Sequence, residues 1–160
     1  MIDWLSMVVP CTHAEPITGG RVISIKPTGE VDWQCSKRTT VEGSFSSGLQ
    51  VRTATHTADA CTHIEISGNP VKFFQGHNLW GTDDLPSLAV ATIRAVSDLL
   101  GLTYTANDEH HWLTGRIQIT RVDVTQSFHL QHRNAVLEWL RSAEQTAHLS
   151  HRGRGQLVKG

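Results

Sequence analysis

A chain of 160 residues fits one domain and is long enough to bury a core. Apolar residues make up 39% and charged residues 18%, which is typical of a globular protein, and no run of 18 apolar residues predicts a membrane span. The formal net charge of −1 excludes a histone-like protein that binds DNA over its whole surface, although it allows a local basic strip.

The N-terminus and the cysteines indicate an intracellular protein. Residues 1–10 contain Asp3 and no basic residue, which does not fit a signal peptide, so we expect a cytoplasmic location. The three cysteines, Cys11, Cys35 and Cys61, are odd in number and irregularly spaced. We interpret them as reduced thiols that serve as small apolar residues on strands, rather than as a disulfide framework or a zinc site.

The first 67 residues predict strands, because β-forming residues alternate with turn signals. Ile2–Val9 is apolar on both faces, as expected of a central strand. A hairpin is predicted around the turn sequence Pro27-Thr28-Gly29-Glu30, and Val31, Trp33 and Cys35 alternate on one of its faces. The predicted strands are Ile2–Val9, Arg21–Lys26, Val31–Cys35, Val41–Thr55 and Cys61–Ser67, with a turn over Thr57–Ala60 before the last. Gly43 and Gly48 indicate bulges or bends within Val41–Thr55.

Helical signals follow in the second half of the chain. The clearest helix has a cap at Asp83 or Asp84, Pro86 in its first turn and Gly101 after its end. Apolar residues at helical spacing predict that one face of this helix is buried. The other predicted elements are a helical turn over Val71–Phe74, a solvated loop over residues 107–112 that includes His110 and His111, a strand from Arg116 to about Phe128, and a helix from about Arg133 to His148.

This order of elements predicts an α+β domain over residues 1–150. We expect an antiparallel sheet with two main helices packed on one face, which leaves the other face free for a ligand. Residues 151–160 are predicted to form a basic, Gly-rich tail that frays, with a phosphate contact as the alternative.

One strand carries residues of the kind that bind metals. Residues 61–67 read C-T-H-I-E-I-S, and alternation along a strand directs Ile64 and Ile66 towards the helices, but His63 and Glu65 towards the open face. Two such residues lie about 7 Å apart along the backbone, so both side chains can reach one ion. The alternative is an ordinary polar face of a half-buried strand.

A second strand extends this group. Its apolar phase switches near Thr120, which indicates a bulge, or else a strand that places Arg121 and Asp123 on the open face. If the two strands are neighbours, Asp123 joins His63 and Glu65. One imidazole and two carboxylates suit Mg²⁺ or Mn²⁺ better than structural zinc. The alternative is a structural ion pair.

A polar loop supplies a third piece. Gln75-Gly76-His77-Asn78 follows the short helical turn, and functional residues are common in loops. We expect His77 to complete the metal site or to hydrogen-bond a phosphate. The alternative is a loop closed by its own turn chemistry.

The sequence S-G-N-P-V-K-F-F-Q-G-H-N-L-W-G-T-D-D-L at residues 67–85 resembles the most characteristic segment of the gene II replication initiators of filamentous phages and related plasmids. The resemblance extends to M-I-D-W-L at residues 1–5, V-E-G-S-F-S at residues 41–46 and T-R-V-D-V at residues 120–124. These segments follow in the expected order and together span most of the chain.

The resemblance implies rolling-circle DNA replication. Proteins of this family nick one strand of a circular duplex at the origin, hold the 5′ phosphate on a tyrosine and later rejoin the strand, with a divalent ion that polarises the phosphate. The implied partners are origin DNA, both double-stranded and single-stranded, and the replication helicase and polymerase of a bacterial host. The implied location is the cytoplasm of that host.

The resemblance also bears on the site. In the wider class of tyrosine nickases, called HUH-like, a His-hydrophobic-His strand supplies metal ligands, and His63-Ile64-Glu65 would match it with a carboxylate in place of the second histidine. The implied metal ligands are therefore Glu65, His63, His77 and Asp123.

The nucleophile is expected beyond Gly160, because the one tyrosine, Tyr104, lies outside the matching motifs. The chain then resembles a truncated initiator or its N-terminal domain. A non-catalytic DNA-binding regulator and an unrelated metal-dependent phosphoesterase are the alternatives. The candidate DNA contacts are Arg52, Lys72, Gln75, Asn78 and Arg121, with Phe74 and Trp80 as candidates for base stacking and local packing as their alternative role.

Overall fold

The computed structural model describes residues 1–43, 45–56, 61–146, 148–149 and 153–154. The chain divides into two compact units, Met1–Thr125 and Gln126–Gly160. The predicted turn over Thr57–Ala60 and most of the predicted tail over residues 151–160 lie outside the described residues. Among the described residues, no helix is long and apolar enough to cross a membrane.

The first unit is an α+β fold that contains most of the elements. In chain order they are β1 (Ile2–His13), β2 (Arg21–Ile25), β3 (Val31–Ser36), β4 (Thr39–Glu42), β5 (Gly48–His56), β6 (Cys61–Gly68), α1 (Pro70–Gln75), α2 (Leu85–Leu100), α3 (Ala106–Leu113) and β7 (Gln118–Val124). The second unit contains α4 (Arg133–Thr146), β8 (His148–Leu149) and β9 (Gly153–Arg154).

The main sheet has five antiparallel strands in the order β4-β5-β6-β1-β7, so β6 is its central strand. Strands β2 and β3 form a separate hairpin. Along most of β1 and in the middle of β6 every second side chain is buried, because neighbouring residues of a strand point to opposite faces. Met7 lies opposite Ile66 and Val9 lies opposite Ile64, and all four are buried. The predicted orientation of β6 is confirmed.

Three helices of the first unit pack on this apolar face. Phe73 of α1, Ile93 and Val96 of α2, and Trp112 of α3 join the core cluster formed by β1, β5 and β6. Helix α2 begins and ends as the sequence predicts. The Asp84 side chain accepts a hydrogen bond from the Ser87 N–H at 3.1 Å, and Gly101 ends the helix with a φ of 64°.

The predicted stretch over Val41–Thr55 is not one continuous strand. It is interrupted where Gly43 and Gly48 indicate bends, and it forms a hairpin in which Val41 of β4 lies opposite Leu49 of β5. The Gly43 N–H donates to the Ser47 carbonyl at 2.7 Å and closes the turn. A hairpin buries Val41 and Leu49 against the same core, which one extended strand of this length would not do.

The predicted loop over residues 107–112 is also wrong, because this segment lies in α3. Thr105 and Asp108 form a reciprocal capping box at its start. Trp112 is 1% exposed, and its indole N–H donates to the Pro10 carbonyl at 2.6 Å. The Thr-x-x-Asp spacing is a helix-capping signal in the sequence. The surrounding residues are mostly polar, so the sequence shows no apolar periodicity although Trp112 is buried.

The bulge predicted near Thr120 is confirmed. Ser6 pairs with Arg121 and Met7 pairs with Ile119, so Thr120 is the extra residue of β7. The cysteines are free, and Cys11 and Cys61 are buried as predicted. Cys35 is exposed, since the hairpin of β2 and β3 stands apart from the core.

Asp108 links α3 to β1. Its carboxylate accepts from the Thr105 N–H at 3.0 Å, the Thr105 hydroxyl at 2.8 Å and the Thr12 N–H at 3.2 Å. Burial raises the pKa of this carboxyl, but the hydrogen bonds from Thr105 and Thr12 outweigh burial and hold the pKa below its ordinary value of 3.8.

We predict that Asp108→Ala lowers the free energy of unfolding by about 2 kcal/mol, because it removes a helix cap and leaves partly buried N–H groups of Thr105 and Thr12 without an acceptor. Urea denaturation at pH 7 measures the loss. Asn107→Ala in the same helix is the control, with an expected change below about 0.5 kcal/mol. Because the folded pKa is depressed, the difference between wild type and Asp108→Ala shrinks as the pH falls below 3.8. A difference that persists in acid would contradict a role for the charge.

Candidate nucleic-acid interface on the polar face of the sheet

The face of the sheet opposite α1, α2 and α3 is polar. Cross-strand pairing places Arg52 opposite Glu65, and Ser67 between Gln50 and Ser6. We call this surface the polar face and define it by Ser6, Gln50, Arg52, His63, Glu65, Ser67 and Arg121. It follows from the alternation that buries Ile64 and Ile66 on the other side.

Glu65 is the centre of a charged cluster on the polar face. Its Oε2 accepts from Arg52 Nε at 2.6 Å, and its Oε1 accepts from Arg38. The Glu65 side chain is 15% exposed, whereas those of Arg52 and Arg38 are 30% and 42% exposed, so both ion pairs are partly hydrated. Burial raises the pKa of Glu65, but the hydrogen bonds from Arg38 and Arg52 outweigh it, and the pKa lies below its ordinary value.

A cavity of about 400 Å³ adjoins this cluster. Arg52 fixes one side of it by donating to the Ser36 carbonyl at 3.1 Å. Its lining residues are Arg21, Gln34, Cys35, Ser36, Arg52, Thr53, Ala54 and Glu65. Arg21, Arg38 and Arg52 carry three positive charges around one carboxylate, so the site has an excess of positive charge. It can accept an anion such as a phosphate, because planar guanidinium groups match phosphate geometry.

A second polar group lies further along the sheet. Ser6 Oγ and Ser67 Oγ are 2.7 Å apart, and the Trp4 indole N–H donates to Ser6 Oγ at 3.1 Å. Arg121 lies over the Trp4 ring at 5.3 Å and forms a two-point ion pair with Asp123. The hydrogen bond from Arg121 lowers the pKa of Asp123 below its ordinary value.

The four predicted metal ligands do not come together. Asp123 pairs with Trp4 and Glu65 pairs with Val8, which puts two intervening strand spacings and four residues of β1 between them, about 16 Å. His77 lies in the loop after α1. Within the described ranges no group of three His, Cys, Asp or Glu residues could hold a metal ion.

His63 and Glu65 remain as a pair on the polar face. They share one side of β6, as predicted, and His63 Nδ1 lies 3.0 Å from the Thr62 hydroxyl. A divalent ion held by these two residues stays a prediction. Such an ion would compete with Arg38 and Arg52, which occupy both carboxylate oxygens of Glu65.

The predicted contacts of the loop after α1 have structural partners. Gln75 Nε2 donates to the Trp80 carbonyl at 2.5 Å, and Asn78 Nδ2 donates to Asp3 at 2.8 Å, so both amides hold the loop in shape. Lys72 is exposed, and Trp80 is 75% exposed. Helix α1 and the loop after it therefore present a cation and an open aromatic ring.

Tyr104 lies with the apolar core. Its ring packs on Trp112 with the ring centres 4.6 Å apart, and it belongs to the cluster that α2 and α3 form on the sheet. Glu65 and Arg52 lie on the opposite face of that sheet. The strands therefore separate the Tyr104 hydroxyl from the charged cluster.

Sequence reasoning missed Arg38 and Arg21. Arg38 lies between β3 and β4 and is 27 residues from Glu65 in the chain. Only the pairing of β4, β5 and β6 brings the two together. The one local signal is that Lys37 and Arg38 follow a predicted hairpin, which does not identify a partner.

The fold and its polar face define an α+β domain with an arginine cluster on the open face of its sheet. A family model for the N-terminal part of the replication-associated gene II protein matches residues 1–160. The replication-associated gene II protein of Enterobacteria phage I2-2 is 38% identical over 161 residues, which cover 100% of this chain and 46% of that protein. The chain belongs to this family of phage replication-associated proteins, and the resemblance found in the sequence is confirmed. It spans about half the length of this curated relative. No solved structure gives a significant match.

We predict that Glu65→Gln lowers the free energy of unfolding by about 1 kcal/mol at pH 7, because two arginines lose their common counter-charge but stay partly hydrated. The depressed folded pKa means that this contribution is present above pH 4.5 and is lost as the pH falls through the folded pKa. Thermal unfolding at pH 7 and pH 3 measures both. Glu42→Gln, an exposed residue of β4, is the matched control. An equal effect in both variants would show that the arginine cluster has no stabilising role.

Proposed function

We propose that this chain is the DNA-engaging N-terminal part of an initiator of rolling-circle replication that cleaves and rejoins one strand at an origin. The observation that carries the proposal is the cluster of Arg21, Arg38 and Arg52 around Glu65, on the polar face of a member of the gene II family. The relative from Enterobacteria phage I2-2 is a replication-associated protein.

The polar face suits a nucleic-acid backbone. Phosphate contacts come mainly from arginine and lysine, and they position DNA without reading its sequence. Arg52 is already oriented by two hydrogen bonds, so it loses little side-chain freedom when a phosphate binds. Arg121 is a further basic residue of the polar face. Lys72 and Phe74 on α1 and Trp80 in the loop after it are exposed, and the two aromatic rings suit stacking on unpaired bases.

The position of His63 and Glu65 supports a likeness to HUH-like tyrosine nickases. The pair lies on the central strand of a five-stranded antiparallel sheet and points away from the packed helices. Mg²⁺ often takes only one or two protein ligands and completes its shell with water and substrate phosphates. In that role, a Mg²⁺ or Mn²⁺ ion would polarise the scissile phosphate.

The nucleophile of the proposed cleavage lies outside these 160 residues. Tyr104 is packed on Trp112 on the helical side, so its hydroxyl does not reach a phosphate bound near Arg52. A tyrosine from elsewhere in the complete protein would act on the polar face. The same observation favours the second candidate, a DNA-binding regulator without cleavage activity.

We predict that the 160-residue chain binds DNA without forming a covalent adduct. The probes are a labelled 30-nucleotide single strand and the supercoiled replicon that encodes the chain. Arg52→Ala weakens binding to the single strand about tenfold at 0.1 M salt and reduces the salt slope by about one ion, because one phosphate contact is lost. Arg94→Ala on α2 is the matched control, with no change in affinity. Anisotropy titrations measure binding, and denaturing gels measure adducts.

The outcomes separate the candidates. An adduct that disappears in Tyr104→Phe would overturn the assignment of an external nucleophile. Equal DNA binding by Arg52→Ala and the wild type would show that the polar face takes no part in DNA binding. Binding without cleavage by the complete protein, with an intact origin and Mn²⁺, would favour the regulator.

We predict weak binding of Mn²⁺ that is lost in His63→Ala and Glu65→Gln but kept in Asp123→Asn, because Asp123 lies about 16 Å from Glu65. Electron paramagnetic resonance of free Mn²⁺ measures the bound fraction. The competing arginines also predict tighter binding in Arg38→Ala. Loss of binding in Asp123→Asn alone would place the ion elsewhere.

A further inference from the structure

The hairpin of β2 and β3 stands apart from the core. We call residues 21–36 the arm. None of its side chains is buried, and its five large apolar side chains are between 42% and 65% exposed: Val22, Ile23, Ile25, Val31 and Trp33. A two-stranded hairpin alone is marginally stable in water, and clustered exposed apolar groups mark interaction sites. The arm therefore requires a partner.

Charge indicates the chemistry of that partner. Residues 21–38 contain four basic side chains, Arg21, Lys26, Lys37 and Arg38, against Glu30 and Asp32, which gives a formal charge of +2. The whole chain has a net charge of −1. The arm itself is balanced, because Arg21 and Lys26 offset Glu30 and Asp32, and the positive excess lies at its base in Lys37 and Arg38. An excess of positive charge where the arm meets the arginine cluster favours a polyanion over a neutral protein surface.

The base of the arm is continuous with the arginine cluster. Arg21 and Ser36 line the same cavity as Arg52 and Glu65, and Arg52 donates to the Ser36 carbonyl. DNA that is held by the cluster therefore passes beside the arm. Because the arm adjoins the arginine cluster, DNA is favoured over a protein as its partner.

The tip of the arm is rigid and apolar. The Lys26 N–H donates to the Glu30 carbonyl and the Gly29 N–H donates to the Lys26 carbonyl, both at 2.9 Å. This tight turn presents Pro27 between Ile25 and Val31, which are 65% and 59% exposed. A two-stranded ribbon fits a DNA groove, and apolar side chains such as Ile and Pro wedge between base steps and bend the duplex.

We propose that the arm enters a groove of double-stranded DNA beside the arginine cluster and bends it, with Ile25 and Pro27 as the wedge and Arg21 and Lys26 on phosphates. The proposal rests on the proposed function and deepens it, because it names the duplex next to the cleaved strand as the partner of this face. Local unstacking by the wedge supplies the unpaired bases that a nicking site requires.

The geometry allows the arm to be removed cleanly. The Lys37 N–H donates to the Gly20 carbonyl and the Gly19 N–H donates to the Lys37 carbonyl, both at 2.9 Å, so the chain ends at the base are already paired. Replacing residues 22–35 with Asn-Gly joins the paired residues Arg21 and Ser36 by a tight turn and keeps both residues beside the arginine cluster. Because the arm has no buried residue, the shortened chain keeps its core, and circular dichroism and thermal unfolding verify this.

The test uses a 30-base-pair duplex of mixed sequence with a fluorophore at each end. Anisotropy gives affinity, and energy transfer between the ends gives bending. Removing residues 22–35 of the arm is expected to lower duplex affinity at least about tenfold at 0.1 M salt and to reduce the salt slope by about one ion, because Lys26 is lost and Arg21 remains. The tip variant Ile25→Ser/Pro27→Ser is expected to keep the salt slope but lose the bend. Leu113→Ser, an equally exposed apolar change on α3, is the control.

Each outcome decides between proposals. Equal duplex binding and bending with and without the arm would overturn the inference, while retained binding of single strands by the arm-less chain would leave the proposed function intact. A wild type that binds neither duplex nor single strand would overturn both. Dissociation of an oligomer on removal of the arm, with DNA binding unchanged, would make the arm a protein contact and would also overturn the inference.

Discussion

The alternation of side chains along the central strand β6 is the constraint on which the rest of this structure depends. Ile64 and Ile66 must lie in the core, because their burial against Met7 and Val9 supplies much of the packing between sheet and helices. Glu65 is then forced to the other face, and a slip of one residue would exchange the two sets. Packing and function are therefore coupled: the same pairing that buries the isoleucines sets Glu65 opposite Arg52.

Glu65 organises its arginines through electrostatics. Three guanidinium groups close to one cavity would repel each other, and a shared carboxylate allows Arg38 and Arg52 to be held near together. The remaining excess of positive charge is available to an anionic ligand. The same arrangement disfavours a cation, because a metal at Glu65 must displace a bonded guanidinium. A phosphate would bind the arginines, whereas a metal would bind the Glu65 carboxylate in place of an arginine. A phosphate that bound Arg38 and moved it from Glu65 would leave one oxygen of Glu65 free for a metal.

Short sequence patterns predict the features of the structure that depend only on residues close together in the chain. The faces of Ile64, Glu65 and Ile66 in β6 and the caps of α2 follow from spacing and are confirmed, as is the bulge at Thr120, which was one of two interpretations of the spacing. Helix α3 is not predicted because Trp112 is its one buried apolar residue, a signal too sparse for periodicity. The four predicted metal ligands do not come together, and the reason is different. Strand order and register decide whether Asp123 lies near Glu65, and neither is encoded in the spacing of one strand.

Charge is distributed unevenly over the molecule, although the net charge is only −1. Residues 83–113, which include α2 and α3, contain five acidic residues and Arg94 as the single Lys or Arg, a formal charge of −4. Several of these acids lie at helix N-termini, where the helix dipole stabilises them. Residues 21–38 have a formal charge of +2. A polyanion is therefore disfavoured on the helical side and attracted to the base of the arm and the arginine cluster, which would let a chain of net charge −1 bind the DNA of the proposed function in one orientation.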